Sequence, residues 1–207
     1  IERARKVLSL YLTDFGKDEI DADTKGAYAT GFTNEKVAPL VNLHDNVNVL
    51  ELWHGPTCAF KDMALQLLPY LLTGSAKRIS EGRETVILVA TSGDTGKAAL
   101  EGYKDIDRIK IMVFYPENGV SKVQKLQMAT QTGSNVNVCA IKGNFDDAQN
   151  GVKKIFSDAE AKAKLLYDFL DNSKLFKGTV RKEDRSLMNV PFVTGNEELD
   201  AKFVKEA

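Results

Sequence analysis

A chain of 207 residues can bury one substantial core or two small ones, and 43% apolar with 28% charged residues is the balance of an ordinary soluble globular protein. The net charge of −1 leaves no electrostatic footprint for nucleic acid or an anionic membrane surface. No apolar run reaches membrane-spanning length and no signal peptide is evident; Cys58 and Cys139, the two cysteines, have neither metal-ligand spacing nor a disulfide framework, which points to the cytoplasm and to no metal site.

Ile1, Val7, Leu8, Leu10, Tyr11 and Leu12 are spaced to give an opening helix an apolar face, with Arg3, Arg5 and Lys6 toward solvent. Thr13-Asp14 ends it or caps a short helix over 17–22. A Gly- and Thr-rich connection covers 28–34, and 37–43 is an extended apolar segment broken by Pro39. Residues 47–52 form a strand, 61–73 a helix and 85–90 a buried strand (Thr-Val-Ile-Leu-Val-Ala). A helix over 97–103, a strand over 110–115, a turn at 116–119, a helix over 121–130, a strand over 136–141 and a helix over 146–156 follow. Strands alternating with helices predict a parallel sheet with helices on both faces, an α/β fold.

Two loops carry chemistry. Lys61 stands at the mouth of a helix, flanked by Ala59 and Phe60, after the turn His54-Gly-Pro-Thr57. Partial desolvation there disfavours the ammonium form and leaves a nucleophilic amine, as a lysine that condenses with an aldehyde cofactor requires. The loop Thr91-Ser-Gly-Asp-Thr-Gly96 follows an apolar strand and opens a helix, at the carboxyl end of the sheet, where open α/β folds bind ligands. Free N–H groups at that helix start, two glycines and the hydroxyls of Thr91, Ser92 and Thr95 suit an anion. A plain helix cap explains the same residues, and Asp94 opposes an anion unless its charge is met elsewhere. The loop matches neither the nucleotide P-loop nor the dinucleotide fingerprint.

Four motifs in order carry a family resemblance: Leu50-Glu-Leu-Trp-His-Gly-Pro-Thr-Cys-Ala-Phe-Lys-Asp62, Ala90-Thr-Ser-Gly-Asp-Thr-Gly-Lys-Ala-Ala99, Val113-Phe-Tyr-Pro116 with Gly119-Val-Ser-Lys-Val-Gln-Lys-Leu-Gln-Met128, and Lys142-Gly-Asn-Phe-Asp-Asp-Ala-Gln149. Together they resemble threonine synthase, over residues 1–158. That family belongs to the tryptophan-synthase-β-like, fold type II pyridoxal 5'-phosphate enzymes. It is a lyase of threonine biosynthesis that converts O-phosphohomoserine and water to threonine and phosphate. The resemblance implies that Lys61 is the Schiff-base lysine and that Asp94 faces the cofactor ring's phenolic oxygen. It also implies that Thr91, Ser92, Gly93, Thr95 and Gly96 hold the carboxylate of a small phosphorylated amino-acid substrate. It sets no oligomeric state. It implies too that the family's opening segment and second half, with the cofactor-phosphate loop, lie outside this stretch.

Around these loops, His54 either contacts ligand or serves as a structural hydrogen-bonder, and Asp62 either orients Lys61 or caps the helix. Asn144, Asp146 and Asp147 read as caps, and Ser121, Lys122, Lys125 and Gln127 as a solvated helix face or a phosphate contact.

Residues 159–207 resemble instead the small C-terminal domain of phosphoserine aminotransferase, without that family's Schiff-base lysine or substrate arginines. Ala159-Glu-Ala-Lys-Ala-Lys164 is a plain helical bridge; a helix over 162–170, a strand over 186–193 and a last helix capped by Thr194 or Asn196 complete a short α+β segment. Ile1 in place of Met and a helix still running at Ala207 point to two cut ends. The alternatives are a composite or engineered α/β scaffold without turnover, a chimera of the two families, or a phosphoserine aminotransferase-related chain.

Overall fold

Three strands rich in β-branched and aliphatic residues build the parallel sheet of the computed structural model, in which residues 1–79, 84–182, 185 and 190–206 are described. These residues divide into two compact units, Ile1–Gln149 and Asn150–Ala207. The first unit opens with α1 (Glu2–Tyr11), α2 (Lys17–Tyr28), β1 (Leu40–His44) and β2 (Val47–Leu50). It continues with α3 (Asp62–Leu65), α4 (Leu68–Ile79), β3 (Thr85–Ala90), α5 (Asp94–Tyr103), β4 (Ile109–Pro116), α6 (Lys122–Ala129) and β5 (Val136–Ile141).

The sheet order is β3-β4-β5, all parallel, with Ile87 opposite Ile111 and Val113 opposite Val138. Alternation along a strand sends Ile109, Ile111, Val113 and Tyr115 to one face, where none is more than 4% exposed. Ala99, Leu100 and Tyr103 of α5, Met128 of α6, and Leu65 and Leu72 of α3 and α4 close over them. The expected α/β fold is therefore present, with cover of unequal extent. On the second face Val86 is exposed and Leu88, Met112, Phe114 and Cys139 are half-buried.

Three local departures have physical causes. The strand at Val47–Leu50 does not join the parallel sheet; it pairs antiparallel with β1. Asp45, at φ 44, turns the chain straight back, whereas a parallel neighbour needs a long crossover. The helix predicted over 61–73 is broken: α3 stops at Leu65 and α4 restarts at Leu68. Pro69, which has no N–H to donate and disfavours a helical residue before it, lies at the restart. The predicted apolar face of α1 is largely open, with Val7, Leu10 and Tyr11 exposed, while Ala4 and Leu8 pack on Ala27, Tyr28, Val37 and Leu67. α2 runs further than predicted because Ile20, Thr24, Ala27 and Tyr28 share one buried face, and the Thr24 hydroxyl is satisfied by the Ile20 carbonyl at 2.7 Å.

The helical bridge over 159–164 makes 146–156 and 162–170 parts of one helix, α7 (Phe145–Asn172), which begins in the first unit and runs on into the second. Lys177–Gly178 (β6) pairs antiparallel with Phe192–Val193 (β7), and of the strand predicted over 186–193 positions 186–189 lie outside the described residues. The last helix, α8 (Glu197–Glu206), is capped by Asn196, whose Oδ1 accepts from the N–H groups of Glu198 and Leu199 at 2.9 and 3.1 Å. Phe176, Phe192 and Phe203 meet edge to face with centroids 5.4–6.2 Å apart. Arg185 lies over the Tyr167 ring at 4.4 Å and forks onto Asp171, which Lys182 also meets at 3.3 Å.

Gly102→Ala would drive a Cβ to 2.1 Å from the Leu65 carbonyl oxygen, where α3 crosses α5. Although alanine favours an isolated helix, the expected outcome is a loss of about 2 kcal/mol, read by urea denaturation. The second unit should show an acid step. Hydrogen bonds from Arg185 and Lys182 hold the Asp171 carboxyl down at about 2 against an ordinary 3.8. A depressed carboxylate stabilises fully above its unfolded value, so this contribution fades as pH falls from about 4 to 2. Asp171→Asn should flatten that step in a Tyr167 fluorescence titration.

Candidate active site

Lys61 is held by its neighbour. The Asp62 carboxylate has no exposure, and it accepts from the Thr57 N–H at 2.9 Å, the Thr57 hydroxyl at 2.6 Å and the Ala59 N–H at 3.5 Å. It therefore neither caps a following turn nor touches Lys61; it folds the preceding loop onto the start of α3. A Cβ on Gly55 would come within 2.5 Å of the Asp62 carboxyl, so the loop closes only over glycine. Lys61 itself is half-buried, its Nζ 4.7 Å from the centroid of the Phe60 ring.

The second loop sorts its residues into inward and outward groups. Thr91 is 2% exposed, and its Oγ1 accepts from the N–H groups of Gly93 at 3.0 Å and Gly96 at 2.9 Å. The hydroxyl expected to meet ligand is thus spent on closing the start of α5. Gly93 has φ 145, and a Cβ there would meet the Gln124 side chain at 2.5 Å. Gly96 seats α5 against the strand, since a Cβ would press on Thr91 at 2.5 Å and Val113 at 2.8 Å. Ser92 and Thr95 are exposed, and among the described residues the N–H groups of Ser92, Asp94 and Thr95 have no partner. Three free donors at a helix start, where the dipole is positive, suit an anion.

Asp94 does not spoil it. Its Oδ1 accepts from Gln124 Nε2 at 2.7 Å and lies 3.3 Å from Lys97 Nζ. The Gln124 hydrogen bond, then the charge of Lys97 and, more weakly, that of Lys61 hold the Asp94 carboxyl below the usual carboxylate range against a partial burial that pushes it up. Lys61, from a separate motif, is thus the weakest of the groups that hold Asp94 ionised.

Two residues of this arrangement escaped the sequence reading. Lys97, 7% exposed, donates to the Thr57 carbonyl at 3.2 Å and to Gln127 Oε1 at 2.9 Å besides pairing with Asp94. Gln124 completes a capping box with Ser121 while its amide reaches Asp94. A signal for Gln124 was present, because Ser121 followed three residues later by Gln is a capping box in sequence. Lys97 gave none, being one charged residue in a helix's first turn.

The remaining candidates fall on the structural side. His54 bridges Thr33 Oγ1 at 3.0 Å and Glu51 Oε2 at 2.6 Å. Asn144 and Asp147 cap one another at 3.0 and 2.8 Å. Lys122 and Lys125 are exposed, and Gln127 faces Lys97. A polar cleft of about 260 Å³ beside Thr57, Lys97, Glu101 and Gln131 includes neither Lys61 nor Asp94.

No family model matches the chain. It is 53% identical over 128 residues to threonine synthase of Pseudomonas aeruginosa, a match covering 61% of this chain and 27% of that protein. Among solved structures it resembles pyridoxal-phosphate-bound threonine synthase from Brucella melitensis at 41% identity and a TM-score of 0.69, covering 76% of this chain and 33% of that one. Yeast threonine synthase matches with a TM-score of 0.70 and 34% identity over the same shares. The likeness of residues 159–207 to phosphoserine aminotransferase rests on its residues alone. The chain spans about a quarter to a third of the length of these relatives, and over most of its own length it is a homologue of threonine synthase.

Proposed function

We propose that this chain carries the reactive lysine and the substrate-carboxylate loop of a threonine-synthase-like lyase, dependent on pyridoxal 5'-phosphate, that converts O-phosphohomoserine and water to threonine and phosphate. The observation that supports it most is the row of three unpartnered N–H donors, of Ser92, Asp94 and Thr95, at the start of α5, in a chain whose other motif presents the half-buried Lys61. These groups fit an aldehyde cofactor and an amino-acid carboxylate. Bound pyridoxal phosphate supplies an electron sink for carbanions. In this reading the Lys61 amine holds the cofactor aldehyde and, once released, moves protons between the α and β carbons of the substrate. The N–H groups of Ser92, Asp94 and Thr95, with the Ser92 and Thr95 hydroxyls, hold the substrate carboxylate. Asp94 would face the phenolic oxygen of the bound cofactor ring.

We further infer that residues 1–158 form the lyase-like part and 159–207 a separate segment; the two compact units divide between Gln149 and Asn150, earlier in the same helix, α7. The free thiols of Cys58 and Cys139 favour the cytoplasm.

Incubation with pyridoxal phosphate, borohydride reduction and peptide mapping should place a pyridoxyl group on Lys61 and, in Lys61→Ala, remove it. Labelling spread over exposed lysines, or none at all, refutes the assignment. Asp62→Ala strands the Thr57 N–H and hydroxyl, and it should cost about 2 kcal/mol in urea denaturation while lowering the yield at Lys61.

A further inference from the structure

His54 stands between two other side chains, one at each ring nitrogen: Glu51 Oε2 lies 2.6 Å from Nε2 and Thr33 Oγ1 lies 3.0 Å from Nδ1. A carboxylate has no hydrogen to give, so the Glu51 contact places the imidazole proton on Nε2 and leaves a bare lone pair on Nδ1. The Thr33 hydroxyl then donates to Nδ1; its other acceptor, the His54 carbonyl, is farther off at 3.4 Å. The order is carboxylate, imidazole, hydroxyl, and it is braced. The Thr33 N–H donates to the His54 carbonyl at 2.9 Å, and the Trp53 ring stacks on the imidazole. Water is kept from the inner pair, with 22% of the Glu51 and 16% of the His54 side chain exposed, while Thr33 lies open to solvent. Among the described residues the N–H groups of Asn34 and Glu35, next in the chain, have no partner.

We propose that Thr33 is an acyl-accepting site, with His54 as its general base and Glu51 as the group that fixes the tautomer of that base; the ligand class is an activated ester of a short carboxylic acid. In the step, Thr33 Oγ1 bonds to the acyl carbon and its hydrogen passes to His54 Nδ1. The bond from the acyl carbon to the leaving oxygen breaks, its electron pair goes to that oxygen, and the imidazole hands on the proton. Glu51 meets the imidazolium that forms in between. The Asn34 and Glu35 N–H groups, which follow the nucleophile in the chain, are free to meet the carbonyl oxygen as charge builds on it. The product is an ester of Thr33. His54 is structural as far as the Lys61 site goes, and this chemistry needs neither Lys61 nor pyridoxal phosphate.

The test incubates the whole chain with p-nitrophenyl acetate at neutral pH and follows acetylation of individual hydroxyls by peptide mapping. Thr33 should be acetylated about a hundred-fold faster than the exposed hydroxyls of Ser92 and Thr95, and His54→Gln should bring it down to their rate. Glu51→Gln should slow Thr33 as well, because an amide can donate to Nε2 and send the imidazole proton to Nδ1, where it blocks the base. Thr33 reacting no faster than Ser92 and Thr95 overturns the proposal. So does a Thr33 rate that either variant leaves unchanged, because a hydroxyl that is merely exposed predicts that. Should the variants not fold, the wild-type comparison stands and nitrogen-15 resonance of His54 adds to it: a proton on Nε2 with Nδ1 bare supports the proposal, and a proton on Nδ1 overturns it.

Discussion

A carboxylate with no access to water organises the loop that matters most. Asp62 can remain buried because Thr57 and Ala59 turn their N–H groups and a hydroxyl toward it, and those donors can reach it only if the chain curls tightly at Gly55. The curl places Lys61 at the helix mouth and aims the Thr57 carbonyl outward, where Lys97 meets it. Burial of one charge on α3 is thereby answered by burial of the opposite charge on α5, through a single shared residue, Thr57. Neither ion contacts the other, yet each stabilises the geometry the other requires.

The sheet beneath supplies rigidity rather than chemistry. β4 lies between two parallel neighbours, and its inward residues Ile111 and Val113 are fully buried under α5 and α6. That packing fixes where α5 begins, and the close seating of Gly96 against Val113 fixes how near its first turn lies to the strand end. The cluster of free N–H groups is thus a by-product of core packing: a helix held that tightly must start immediately above the sheet edge.

Much of this was legible in the residues. The runs Thr85–Ala90, Ile109–Pro116 and Val136–Ile141 are short and apolar, are separated by helical spacing, and can hardly be anything but strands of a parallel sheet. Lys61 and the Thr91–Gly96 loop stood out because glycines, hydroxyls and a helix start coincide there. Pairing partners were not legible: Val47–Leu50 reads as a strand in either kind of sheet, and only the turn at Asp45 decides. Side-chain direction was equally hidden. Thr91, Ser92 and Thr95 are chemically alike in sequence, yet one turns inward to cap a helix and two face out. Lys97 was missed for the same reason, since burial of a lysine depends on acceptors lying 30 and 40 residues away in the chain.

The inward turn of Thr91 makes the loop's vulnerability to substitution uneven. What faces outward at the start of α5 is chiefly main chain, and peptide N–H groups are common to every residue except proline. Drift at Ser92 or Thr95 can leave the loop's geometry whole, whereas Thr91, Gly93 and Gly96 each occupy a place that few other side chains fit. Over evolutionary time such a loop should keep its shape through the residues that face inward, while those that face solvent are freer to vary.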